Sequence, residues 1–113
     1  MDPNLREEIS ILHAQVCKGL ADPNRILILY TLSTKAYTVN ELAEAIELSQ
    51  PTVSRHLKVL RERGMVTAER DGQSVVYRLG DNRIVEALDL LRTFLADTLR
   101  SQVALVNSAF EEA

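Results

Sequence analysis

The sequence predicts a mainly α-helical chain that carries one β-hairpin. Apolar residues recur at helical spacing over most of the chain, and the period changes to two only between residues 65 and 79. Two helix-start signals, at Thr38 and Ser49, lie close enough together to define two short successive helices. The predicted order in this single domain, residues 1–113, is two helices, a short strand, two helices, two strands and a final helix.

The first two helices are marked by apolar spacing and by one strong start signal. Residues 5–20 carry apolar side chains every three or four positions, which is typical of an amphipathic helix. Asp22-Pro23 supplies an N-cap followed by a proline in the first helical turn. It opens a helix from Asn24 to about Ser33, which is apolar on most sides and is therefore expected to be the central core helix.

The segment 38–64 predicts two helices joined by a tight turn. Thr38 and Glu41 form a T-x-x-E capping box, and Ser49 with Pro51 opens the following helix. The start and outward side of that second helix remain polar, through Gln50, Thr52, Ser54, Arg55 and His56. A helix-turn-helix presents its second helix, the recognition helix, to the major groove of DNA in this way.

The segment 65–79 predicts a hairpin directly after the recognition helix, which is the position of a wing. Its two alternating runs are joined by Asp71-Gly72, a strong short-range hairpin signal. Arg70 and Gln73 flank the polar tip and are predicted to contact a phosphate or the minor groove. The alternative is a plain β-ribbon that only completes the core. The fold prediction is thus a winged helix-turn-helix.

The final helix is predicted from Asp81 to about Ser108. At about 40 Å it is longer than so small a core can cover, so its apolar stripe requires a second chain. We predict a homodimer through the first and last helices, which places two recognition helices on a pseudo-palindromic DNA site. The predicted interface residues are Leu5, Ile9, Leu12, Leu88, Leu91, Leu95 and Leu99.

Charge and composition exclude several classes of protein. The net charge is −3, but residues 49–78 carry six cations and three acids, a local +3 that suits phosphate binding. No apolar run of about 18 residues predicts a membrane span, and the charged N-terminus has no signal-peptide pattern, so we expect a cytoplasmic protein. No phosphate loop, activated nucleophile or metal triad is present, so we expect no enzyme and no cofactor.

Three segments resemble the ArsR/SmtB family of winged-helix repressors: KGLADPNRILIL (18–29), ELAEAIELSQPTVSRHLKVLRERGMV (41–66) and DGQSVVYRL (71–79). The similarity covers about residues 10–100, and LSQPTVSRHLKVL is its most specific part. The resemblance implies a homodimeric repressor that releases double-stranded operator DNA when it binds a metal ion or senses a reactive species. The DNA-contacting positions of the family match Gln50, Thr52, Ser54, Arg55 and His56.

The same resemblance leaves the family's usual metal sites without ligands. A Cys-x-Cys pair of many members corresponds to Thr38 and Asn40 here. The ligands that others carry on the closing helix correspond to Asp81, Arg83, Phe94 and Asp97. Two carboxylates without imidazoles suit zinc poorly, so no metal site is predicted at either place.

His13 and Cys17 allow two interpretations. They are four residues apart and share one face of the first helix, so the first interpretation is a sensor pair that dimer symmetry doubles. A variant of this interpretation is a redox switch at the Cys17 thiol. The other is that Cys17 is a small buried apolar residue and His13 is solvated. We prefer the second, because the chain has no further thiol to resolve an oxidised cysteine.

The cations of the recognition helix are expected to differ in role. We predict that Arg55 contacts bases, because its planar fork matches guanine O6 and N7. His56 is assigned either to a phosphate or to packing, and Lys58, Arg61 and Arg63 to phosphates or solvent. The alternative function, a winged-helix protein-interaction module, would more often show exposed aromatic residues in place of this polar cluster.

Overall fold

The structure, a computed structural model, describes residues 2–112. It divides into two compact units, one ending at Asn82 and the other beginning at Arg83. The elements are α1 (Pro3–Leu12), a π-helical turn (His13–Cys17), α2 (Pro23–Leu32), β1 (Tyr37–Thr38), α3 (Val39–Ile46), α4 (Gln50–Glu62), β2 (Val66–Asp71), β3 (Ser74–Leu79) and α5 (Asn82–Glu112). Their order agrees with the predicted one, while the single-domain organisation stays a prediction.

The core of the first unit lies where α2, α3 and α4 meet the hairpin. Its fully or nearly fully buried apolar residues are Ile28, Leu29, Leu32, Leu42, Ala43, Val53, Leu57, Leu60, Met65 and Val66. The predicted central role of α2 is consistent with this, although Leu27 remains 45% exposed. Recognition helix α4 buries one apolar face, so its opposite side is left to solvent.

The three strands form an antiparallel sheet in the order β1-β3-β2. Tyr37 lies opposite Tyr77 at the short edge strand, and Asp71 lies opposite Ser74 at the hairpin end. The two loop residues are therefore Gly72 and Gln73. Gly72 has φ +65°, the sign that glycine tolerates best at the first position of a two-residue hairpin loop.

The predicted caps of the first unit are present. Asp22 accepts a hydrogen bond from the backbone N–H of Asn24 at 2.8 Å, and Ser49 accepts one from that of Thr52 at 3.3 Å. Gly64 follows α4 in the left-handed region, with φ +76°. These bonds satisfy backbone groups that the helix ends leave without intrahelical partners.

The predicted first helix differs from the structure in one respect. In place of a continuous helix over residues 5–20, α1 ends at Leu12 and a π-helical turn follows. The backbone N–H of Lys18 reaches the carbonyl of His13, five residues back, at 3.0 Å. Two carbonyls within this turn, those of Ala14 and Gln15, accept side-chain hydrogen bonds from outside the helix. The irregular turn thus coincides with these two bonds from a remote side chain.

The outward apolar faces of α1 and α5 match most of the predicted dimer interface. Leu5, Ile9 and Leu12 on α1 are 44–50% exposed, and Leu91, Leu95 and Leu99 on α5 are 50–59% exposed. Leu88 is 5% exposed and offers a partner little surface. The helix α5 continues to Glu112, beyond the predicted end near Ser108, because neither glycine nor proline interrupts it. None of the helices within residues 2–112 has the length and apolar content needed to cross a bilayer.

Candidate nucleic-acid interface

The outward side of α4 presents most of the predicted contact residues together. Gln50, Ser54, Arg55 and Lys58 are exposed, whereas Thr52 is half-buried. The opposite side, with Val53, Leu57 and Leu60, is buried in the core. The helical period thus fixes which side chains are free to meet a ligand, and these are polar or cationic.

Three side chains at the start of α4 form a hydrogen-bonded chain. The hydroxyl of Ser49 donates to Oγ1 of Thr52 at 2.7 Å. Nη2 of Arg55 donates to the same oxygen at 3.4 Å. This contact places the Arg55 guanidinium beside the first helical turn and leaves most of its five N–H donors unused. Such a fork, held close to the helix and exposed, is suited to the edge of a guanine.

The wing places a second group of predicted residues beside the helix-turn-helix. An open pocket of about 260 Å³ is lined by residues from the start of α3, the start of α4 and the wing tip: Thr38, Val39, Asn40, Gln50, Gln73, Ser74 and Val75. Gln50 and Gln73, predicted from separate segments, therefore line one pocket. The exposed Arg70 lies on β2, while Arg78 of β3 is 3.9 Å from the carboxylate of Glu69.

A larger groove runs along the other flank of α4. It has a volume of about 580 Å³ and is lined by Pro51, Ser54, Arg55, Leu57, Lys58, Arg61 and Tyr77. We call it the basic groove. Arg61, predicted like Lys58 to face phosphates or solvent, lies three residues after Lys58, so both occupy neighbouring positions of one helix face.

His56 lies apart from the outward set. Its Nδ1 is 3.5 Å from Nη1 of Arg25 at the start of α2, and the ring is half-buried. Arg25 is itself anchored, since its Nε donates to the Gly19 carbonyl at 2.7 Å and its Nη2 to the Lys18 carbonyl at 3.1 Å. Of the two roles considered for His56, this position favours packing over a phosphate contact.

Arg63, at the far end of α4, is also used within the chain. Its Nη1 donates to the carbonyl oxygens of Ala14 and Gln15, at 2.6 and 2.9 Å. A side chain Cβ placed at Gly19 would come within 2.7 Å of Cδ of Arg63, so glycine gives the arginine room to pass. This position does not support the predicted phosphate contact of Arg63. No local pattern in the sequence predicts its hydrogen bonds to the Ala14 and Gln15 carbonyls.

The turn that leads into the helix-turn-helix is a capping box, as predicted. The backbone N–H of Thr38 donates to Glu41 at 2.9 Å, and the backbone N–H of Glu41 donates to the Thr38 hydroxyl at 3.2 Å. The hydrogen bonds from the backbone and the side chain of Thr38 lower the pKa of the Glu41 carboxyl, and Lys35 nearby adds to the effect. Thr38 therefore caps α3, at the position where the family resemblance implies a cysteine ligand in many members.

The sensor residues considered on the first helix lie on the π-helical turn. His13 and Cys17 are both exposed, so the expectation that Cys17 is buried is wrong for this chain. None of the residues of this turn, His13–Cys17, is buried. Within residues 2–112, no three His, Cys, Asp or Glu side chains converge as a metal site would require. The side chains present at Thr38 and Asn40 also lack the donors that a soft metal prefers.

Comparison with known proteins agrees with this architecture. Residues 22–68 match the family model described as bacterial regulatory protein, arsR family. The HTH-type transcriptional repressor SmtB of Mycobacterium tuberculosis is 42% identical over 77 residues, or 68% of this chain and 57% of SmtB. The chain therefore covers less than two thirds of that relative's length.

Two further proteins match over most of their length. The uncharacterized HTH-type transcriptional regulator Rv0081 of Mycobacterium tuberculosis is 37% identical over 101 residues, 88% of this chain and 89% of Rv0081. The crystal structure of Rv0081 matches this chain with a TM-score of 0.72 and 33% identity. The match covers 91% of this chain and 99% of the Rv0081 chain. A homodimeric winged helix-turn-helix DNA-binding domain from Mycobacterium bovis has a TM-score of 0.75 with 25% identity. The match covers 89% of this chain and 93% of the Mycobacterium bovis domain.

These matches confirm the predicted fold, and the relatives aligned with this chain are named as regulators of transcription. The family model covers the helix-turn-helix, which contains the most specific part of the family resemblance, and it ends at residue 68 within β2. The chain belongs to the arsR family of bacterial regulatory proteins.

Proposed function

We propose that the chain is a homodimeric, cytoplasmic repressor that binds a pseudo-palindromic DNA operator through α4 and the wing. The observation that carries the proposal is the outward face of α4, where Ser49, Thr52 and Arg55 form a hydrogen-bonded chain beside exposed Gln50 and Ser54. Among residues 2–112 no carboxylate pairs with Arg55. Its guanidinium is therefore available to a ligand.

The contact residues divide into two kinds. Arg55 contacts a base, because its fork can hold two acceptors of one guanine, and Gln50 and Ser54 lie beside it. Lys58 and Arg70 contact phosphates, since each offers a positive charge on an exposed surface next to the helix or the wing. Gln73 at the wing tip adds an uncharged contact to the backbone or minor groove.

The dimer is supported by the apolar residues that α1 and α5 leave exposed. A related structure from Mycobacterium bovis is described as homodimeric, which favours the same assembly here. Two-fold symmetry would present two α4 helices to half-sites roughly one DNA turn, or about 34 Å, apart. An inducer would then act by weakening operator binding, as expected for a repressor.

Selection of a preferred site from random DNA duplexes tests the proposal. We expect an inverted repeat to be enriched, and the Arg55→Ala variant to lose about 1–3 kcal/mol of discrimination against a substituted guanine. The Arg100→Gln variant removes one cation from α5 and should keep the wild-type preference. Failure to enrich any sequence, or an equal loss for specific and random duplexes in Arg55→Ala, would overturn the assignment.

A further inference from the structure

The basic groove has a composition that DNA binding alone does not require. Three cations, Arg55, Lys58 and Arg61, line it together, while no acidic residue does. Within the described residues 2–112, none of the three has an ion-pair partner. Mutual repulsion of like charges is therefore uncompensated, and an anion placed between them would relieve it.

The remaining lining is apolar or aromatic. Pro51 and Leu57 come from α4, and Tyr77 comes from the central strand of the sheet. Leu57 is 1% exposed, so it belongs to the floor. A DNA backbone gains little from such a floor, whereas small-molecule sites combine an apolar lining with a few placed polar groups. The volume of about 580 Å³ falls in the range of roughly 300–1,000 Å³ that such ligands occupy.

We propose that the basic groove binds a small organic anion, with an aromatic or apolar body against Tyr77 and Pro51 and a phosphate, sulfonate or carboxylate group between Arg55, Lys58 and Arg61. The guanidinium groups of Arg55 and Arg61 supply paired donors to the anion, and Lys58 supplies a point charge. No covalent or redox step is involved. Binding is a matter of charge neutralisation and apolar contact.

The position of the groove gives this ligand a regulatory consequence, which rests on the proposed function. Arg55 and Ser54 line the groove and also belong to the surface assigned to DNA. An occupied groove would engage the Arg55 guanidinium and place a negative charge where DNA phosphates approach. The ligand and the operator therefore compete for one surface, so the ligand acts as an inducer without a metal or thiol site.

Phenyl phosphate is a suitable probe because it joins an aromatic ring to a phosphate, and inorganic phosphate and phenol represent its halves. Titration of the DNA-free protein, followed by backbone amide chemical shifts, should place phenyl phosphate at Ser54, Lys58 and Tyr77. The Lys58→Gln/Arg61→Gln variant should bind it roughly ten-fold or more weakly, since two charge-assisted contacts are lost. The charge-matched control Arg92→Gln/Arg100→Gln, which removes two cations from α5, should bind like the wild type.

A displacement measurement completes the test, with a labelled duplex bound to the wild-type protein. Phenyl phosphate should release the duplex at concentrations where the same amounts of phosphate and phenol do not. Absence of shifts at the groove, or shifts confined to the apolar faces of α1 and α5, would overturn the inference while leaving operator binding intact. Binding at the groove in a protein that selects no DNA sequence would instead refute the proposed function and retain the ligand site.

Discussion

Nη1 of Arg25 lies 3.5 Å from Nδ1 of His56, and this contact joins the start of α2 to the recognition helix α4. Arg25 is held by the carbonyls of Lys18 and Gly19, and its guanidinium is 4.0 Å from the Asp22 carboxylate. Since a guanidinium only donates, Arg25 is the donor of any hydrogen bond in this contact. His56 therefore orients α4 from inside, while its neighbour Arg55 faces outward.

Salt dependence of DNA binding distinguishes these roles. Lys58→Gln should reduce the magnitude of the slope of log affinity against log salt by about 0.9, because one phosphate contact and its released counterion are lost. His56→Gln should weaken binding without changing the slope, since the side chain contacts Arg25. Fluorescence anisotropy over roughly 50–200 mM salt provides the measurement. A reduced slope in His56→Gln would identify His56 as a phosphate contact after all.

Removal of the Arg63 guanidinium should affect folding more than DNA affinity. Arg63→Gln loses the two hydrogen bonds to the carbonyls of Ala14 and Gln15, and we expect the free energy of unfolding to fall by about 1–2 kcal/mol. Arg61→Gln is the matched control, because Arg61 lies two residues earlier on the same helix, is exposed and makes no such bond. Urea denaturation of both variants tests this. Equal stabilities of the two variants would show that the Arg63 bonds contribute nothing.

The capping box makes the start of α3 sensitive to acid. Hydrogen bonds from Thr38 lower the pKa of Glu41 in the folded chain, so the stabilisation is complete above the pKa of the unfolded chain and is lost as the pH falls through the lower folded value. The stability difference between wild type and Glu41→Gln should therefore shrink as the pH falls from about 6 to about 3. Urea unfolding at several pH values measures it.

Glu44→Gln is the control for this prediction. It changes the net charge by the same amount on the same helix but leaves the capping box intact. The free energy of unfolding of Glu44→Gln should therefore depend on pH as that of the wild type does. If Glu41→Gln kept that trend as well, the hydrogen bonds between Thr38 and Glu41 would not contribute to folding.

Local signals in the sequence predicted the parts of this interface that depend on residues a few positions apart. The caps at Asp22, Thr38 and Ser49 each join groups two or three residues apart. The sequence motif therefore already contains both partners of the hydrogen bond. The outward position of Arg55 also follows from the helical period, since the buried residues of α4 fix the opposite face.

Contacts between distant segments could not be predicted in that way. Arg63 and Ala14 are separated by 49 residues, and no sequence pattern around either residue predicts their contact. The π-helical turn is a second case, because its Ala14 and Gln15 carbonyls bond to Arg63 and nothing in the local sequence indicates this partner. The contact of His56 with Arg25, 31 residues apart, is a third case.

The dimer prediction is tested by placing a charge in the exposed stripe of α5. Leu95→Asp should shift the protein toward monomer at micromolar concentration, because a buried, unpaired carboxylate is costly in an apolar interface. Leu90→Asp is the matched control: Leu90 is 73% exposed and lies outside the stripe of Leu91, Leu95 and Leu99. Sedimentation velocity gives the mass of each variant. The Leu95 variant should also lose the affinity gained from two half-sites, while each protomer still binds single half-sites. Dissociation by neither variant would place the interface elsewhere, and dissociation by both would show that it is not confined to the stripe of Leu91, Leu95 and Leu99.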